Sequence, residues 1–72
     1  MADSIEICVN GDKTRVPANR TVLEILTVLG VPADRVAVEL NRKIVRKNEW
    51  ESVTVPAGAE VEIVHFVGGG SG

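Results

Sequence analysis

The chain has 72 residues, of which 44% are hydrophobic and 25% charged, with a formal net charge of −2. That length holds one small domain, and the balance of charge and apolarity describes a folded protein rather than a disordered tail. One cysteine, one histidine and no tyrosine exclude a disulfide-stapled mini-protein and a multi-cysteine metal site, and they leave few groups for acid–base catalysis.

Ile5, Ile7 and Val9 alternate with Glu6, Cys8 and Asn10, the period-two pattern of a strand with one buried face. Asn10-Gly11 tolerates the positive φ angles of a tight hairpin, so Lys13 to Val16 is predicted to return antiparallel, closed by Pro17. Thr21-Val22-Leu23-Glu24 reads as a capping box, in which threonine side chain and glutamate side chain each satisfy the other's backbone amide. Val22, Ile25, Leu26 and Leu29 follow at helical spacing, and Gly30 with Pro32 ends that helix.

Val36, Val38 and Leu40 predict a third strand, followed by a turn at Asn41-Arg42-Lys43 and a brief strand at Ile44-Val45. Val53 and Val55 alternate again, Pro56-Ala57-Gly58-Ala59 is a turn, and Val61, Ile63 and His65 form the last strand. One amphipathic helix across one face of a mixed sheet of four to five strands makes the fold α+β. The seven glycines are unevenly spread, four of them within the last five residues. Residues 1–67 are therefore assigned to the domain and 68–72 to a flexible glycine-rich tail.

No run approaches the ~20 apolar residues of a membrane-spanning helix, and the first residues lack the basic and apolar regions of a secretory signal. A cytoplasmic protein is expected, and Asn19-Arg20-Thr21 is then a chance glycosylation triplet. The slight acidity argues against nonspecific nucleic-acid binding.

Four stretches together resemble one family: Val9-Asn10-Gly11, Thr21 to Leu26, Val36 to Asn41 running on to Ile44-Val45 and Trp50, and Val61 to Gly70. In this order they are similar to the ubiquitin-like β-grasp sulfur carriers, most closely the ThiS type of thiamine biosynthesis. The resemblance implies a protein co-substrate rather than an enzyme. A ThiF-like adenylating enzyme would use ATP to activate the terminal glycine carboxylate, a desulfurase system would supply sulfur derived from cysteine, and a ThiG-like thiazole synthase would consume the resulting thiocarboxylate. No bound cofactor is implied, and the free carrier is expected to be a monomer. Alternatives are a MoaD-like carrier for molybdopterin synthesis, a ubiquitin-like modifier, or a β-grasp interaction or RNA-binding module with an irrelevant tail. The single Cys8 excludes a plant-type iron–sulfur ferredoxin on the same fold.

On this resemblance Gly69 and Gly70 are the reacting tail. Glycines without Cβ atoms can extend through a narrow channel, and five extended residues reach at most about 16–18 Å. Ser71-Gly72 follows where the family usually ends at its diglycine. It is an expression remnant, an extension trimmed before activation, or the reactive end itself at Gly72; Gly70 is taken as the functional terminus.

Val64 and Phe66 fall on the strand face opposite Val61 and Ile63, and with Gly68 they are candidate partner anchors. His65 is expected on the inward face near the strand's end, where no nucleophile is placed to use it as a base. Cys8 is read as partly exposed and chemically incidental. Arg42, Lys43, Arg46 and Lys47 form a basic cluster beside a turn, Glu39, Glu60 and Glu62 an acidic patch if the sheet makes them neighbours, and Trp50 is expected to pack under the Arg46–Glu51 loop.

Overall fold

A computed structural model describes residues 3–66. Strands β1 (Ser4–Val9) and β2 (Asp12–Pro17) pair antiparallel from Val9↔Asp12 to Ser4↔Pro17. The hairpin turns on Asn10 and Gly11, with φ 49° and 88°, the doubly positive geometry that Asn-Gly accommodates at least strain. Helix α1 (Val22–Leu29) follows, then β3 (Val36–Leu40), β4 (Lys43–Val45) and β5 (Glu60–His65). The sheet has five strands in the order β2-β1-β5-β3-β4. β5 lies at its centre, parallel to β1 and antiparallel to β3.

The helix ends are closed as the sequence predicts. The Thr21 hydroxyl accepts from the Glu24 amide at 3.2 Å, and Glu24 Oε1 accepts from the Thr21 amide at 2.9 Å. The next two amides are taken up by the loop after β4: Val22 donates to the Val53 carbonyl at 2.9 Å and Leu23 to that of Trp50 at 3.0 Å. Every amide of the first turn thus has a partner, which an N-terminus buried against a loop requires. At the other end Gly30 sits at φ 73°, with Gly30 donating to Thr27 and Val31 to Leu26, the paired bonds of a Schellman cap.

One apolar face of the sheet meets the helix. Ile7, Val16, Val36, Val38, Val45, Val61 and Ile63 are buried from the strands, and Val22, Ile25 and Leu26 from α1. Each such side chain contributes about 1.5–3 kcal/mol of burial free energy before entropic costs are set against it. Trp50 closes the core from the loop after β4; it is buried, and its Nε1 donates to the Val45 carbonyl at 2.9 Å. That bond satisfies the one polar atom of the largest core side chain.

One expectation, the extent of the turn after β3, needs correction, and two other segments show detail that the sequence leaves open. Val53 and Val55 do not form a strand: only Thr54 pairs, in an isolated bridge to Thr21, because this segment is used to close the helix N-terminus. The turn after β3 is confined to Asn41 and Arg42, both at positive φ, and Lys43 already belongs to β4. His65 continues the inward-facing row of β5 opposite Val36, as expected, and is exposed there, beside a recess that Leu29 also lines.

Candidate functional site

β5 delivers the chain toward its glycine-rich end, so the site is built from what β5 presents there. The candidate residues Gly68, Gly69, Gly70 and Gly72, and the assignment of 68–72 as a tail, lie outside the described residues. Just before them the ladder still holds: the Phe66 amide donates to the Arg35 carbonyl at 2.9 Å. The strand therefore keeps its direction to within four residues of Gly70.

The face of the sheet away from α1 has no second layer among the described residues. Val64 and Phe66 are 55% and 58% exposed on it, while Val61 and Ile63 are buried on the other side. The expected division of β5 into inward and outward rows is what the structure shows. Ile44, 71% exposed, was not anticipated. It lies opposite Glu39 on the outward face of β4, and a three-residue strand is too short for alternation to assign its faces. Val64 and Phe66 at the end of β5 and Ile44 on β4, with β3 between them, are exposed apolar groups on one uncovered face, the kind of surface that a partner covers.

The structure brings the three glutamates together. Glu39 and Glu62 are directly opposed across β3 and β5, and with Glu60, Cys8, Gly11 and Arg42 they line a recess of about 380 Å³. Like charges placed directly opposite in a sheet repel. The only ion pair among the described residues, Arg42 Nε to Glu60 Oε1 at 3.5 Å, is solvent-exposed and contributes little stability. Among the described residues no set of three or more His, Cys, Asp or Glu side chains is arranged to hold a metal ion. Cys8 is half-buried, a free thiol at the edge of this recess. The predicted basic cluster is divided: Arg42 turns to Glu60, while Arg46 and Lys47 belong to the loop after β4, where Glu49 Oε1 accepts from the Arg46 amide at 3.0 Å.

Two asparagines brace β5 at the level of its backbone, and neither role is apparent from its sequence position. Asn10 Oδ1 accepts from the Ile63 amide at 2.7 Å, and its Nδ2 donates to the Ile63 carbonyl at 3.1 Å. Asn41 Oδ1 accepts from the Glu60 amide at 2.9 Å. Both residues occupy turns at positive φ, so each hairpin tip reaches sideways to hold the strand that leads to the tail. The available signal is an asparagine at each predicted turn, a residue type that tolerates φ > 0 and carries both a donor and an acceptor.

A helix laid across a five-stranded mixed sheet, with its last strand central, defines a β-grasp domain. The ThiS family model matches residues 2–70. The chain belongs to the ThiS family, the small sulfur carriers of thiamine biosynthesis that its sequence resembles. A crystal structure of the thiamine biosynthesis protein ThiS from Geobacter metallireducens superposes with a TM-score of 0.81 and 35% identity, covering 92% of this chain and all of that one. A solution structure of a thiamine biosynthesis protein from the same organism gives a TM-score of 0.76 and 34% identity over 93% of this chain and 90% of that one.

Among curated relatives, a thiazole synthase of Paramagnetospirillum magneticum is 42% identical over 67 residues, and one of Magnetococcus marinus is 33% identical over 66. The matches cover 93% and 92% of this chain but only 21% and 20% of those proteins. The chain thus spans about a fifth of the length of the curated relatives it matches. No helix among the described residues is long and apolar enough to cross a membrane.

Proposed function

We propose that this chain carries sulfur as a C-terminal thiocarboxylate and hands it to a thiazole synthase. A ThiF-like enzyme would join the terminal glycine carboxylate to the AMP of ATP, releasing pyrophosphate. A desulfurase-derived persulfide would then displace AMP to give an acyl disulfide, a thiol reductant would cleave it to the thiocarboxylate, and the thiazole synthase would consume that product. The chain itself acts as a co-substrate, and its residues supply a rigid strand, a docking face and a slender end.

The observation that carries this reading is the family match, which runs through the glycines and ends on Gly70. The two thiazole synthases add support for the partner, since each holds a segment similar to this chain within a longer polypeptide. A carrier and its consumer in one chain fit a direct handover. This favours the thiamine branch over a MoaD-like role. Val64 and Phe66, joined by Ile44, would anchor the partner, and Gly68 to Gly70 would enter its channel.

The test is mass spectrometry of the chain, as a 1–70 form and as the full 72 residues, after incubation with ATP, a sulfur source and the cognate adenylating enzyme. Replacement of one oxygen by sulfur on the form ending at Gly70 is expected. Exchange on a peptide still ending in Gly72 would move the functional terminus, and isopeptide conjugates without thiocarboxylate would indicate a modifier instead. Val64→Asp and Phe66→Asp should raise the KM for the carrier about tenfold or more, on the scale of interface anchors, without lowering the unfolding temperature. A docking role is refuted if KM is unchanged.

A further inference from the structure

The backbone of β5 alternates its hydrogen bonding between two neighbours. Glu60 and Phe66 bond toward β3, through Asn41 and Arg35. Val61 and Ile63 bond toward the β1 side, where the Asn10 amide donates to Val61 at 2.8 Å and the Asn10 side chain holds both backbone groups of Ile63. β1 ends at Val9, so the Asn10 side chain takes the place of the strand residue that would come next. His65 is the following residue directed to that side. Among the described residues neither its N–H nor its C=O has a hydrogen-bond partner. A central strand thus becomes, for its last turn of the pleat, an open edge.

Beside this edge, on the helix side of the sheet, lies a recess of about 290 Å³. Val9, Leu29, Val31 and Ile63 supply its apolar wall, and Asp12 and His65 stand on its rim. Asp12 is the lining residue that carries a formal charge at neutral pH.

The geometry points to β-strand addition: an extended segment of the adenylating partner occupies the lane vacated by β1 and pairs with the backbone of His65. Its side chains alternate faces. An apolar one fills the recess, and a lysine or arginine two residues away on the same face meets Asp12. Main-chain pairing of this kind supplies affinity regardless of the side chains on β5, and the recess adds selectivity. This interface is distinct from the outward face bearing Val64 and Phe66, and it grips the strand at the point where the tail begins.

The inference rests on the carrier reading, and one experiment separates the two. Carrier-dependent ATP–pyrophosphate exchange by the cognate adenylating enzyme is measured with wild type, His65→Pro and His65→Ala, alongside thermal unfolding of each. Proline removes an N–H that has no partner among the described residues, so the fold should survive. Its KM should rise about five- to tenfold, the worth of one interfacial backbone bond and its immediate surroundings. His65→Ala, which restores the N–H, should recover most of that loss. An unchanged KM for a natively folded His65→Pro overturns strand addition while leaving the carrier reading intact. Absence of exchange with wild type overturns both. If His65→Pro unfolds, amide hydrogen exchange on the wild-type chain decides: slower exchange at His65 in the complex supports the pairing, and an unaltered rate refutes it.

Discussion

Asn10 offers the sharpest test of how this small fold is held. Its side chain makes two hydrogen bonds to the backbone of Ile63, at 2.7 and 3.1 Å, across 53 residues of sequence. Ile63 is only 6% exposed, so water replaces the lost partners poorly. Asn10→Gly removes both bonds yet keeps the backbone at ease at φ 49°. At about 0.5–1.5 kcal/mol per bond, the expected loss is about 2 kcal/mol. Asn10→Ala adds about 1 kcal/mol for placing a Cβ in the left-handed region, giving about 3 kcal/mol. A domain of this size has roughly 4–11 kcal/mol in all. Urea unfolding should show a lower midpoint at unchanged slope, and the melting temperature of Asn10→Gly should fall by about 8–16 °C. The reasoning fails if Asn10→Gly lies within about 0.5 kcal/mol of wild type, a difference typical of an inert surface position.

Two further substitutions probe local devices. Thr21→Ala breaks one half of the capping box and should cost about 1 kcal/mol in thermal unfolding; Glu24→Ala removes the other half, the bond from the residue-21 amide to its Oε1, and should lower stability further in the double variant. Arg42→Gly relieves a bulky residue held at φ 71° and gives up only an exposed ion pair to Glu60. A gain of about 0.5–1 kcal/mol is expected in urea unfolding, and a loss would show that the Arg42–Glu60 contact matters more than the strain.

Local chemistry made much of this fold legible. Asn10-Gly11, the Thr21 to Glu24 box and Gly30 each fix their own few residues, so turn, helix start and helix stop appear where the sequence predicts them. The rows Val61, Ile63 and Val64, Phe66 separate because a six-residue strand has enough alternation to assign its faces. Ile44 was illegible because β4 has three residues. Val53 and Val55 carry a strand-like pattern, but their carbonyl and amide serve the helix N-terminus through Val22 and Arg20; only tertiary proximity reveals that use. The bracing by Asn10 and Asn41 and the gap beyond β1 depend on which strands become neighbours. Periodicity contains no such information, since β1 and β5 are parallel partners drawn from opposite ends of the described chain.

The central place of β5 has a consequence for synthesis. The elements emerge in the order β1 to β5, yet the strand that joins the β1–β2 hairpin to the β3–β4 pair arrives last. Until β5 leaves the ribosome, the nascent chain holds two unjoined halves, each with an open edge and no shared core. A product cut short before β5 therefore lacks the fold as well as the glycines. Translation interrupted before β5 yields two sheet fragments and no folded domain, because the strand that joins them is the last one made.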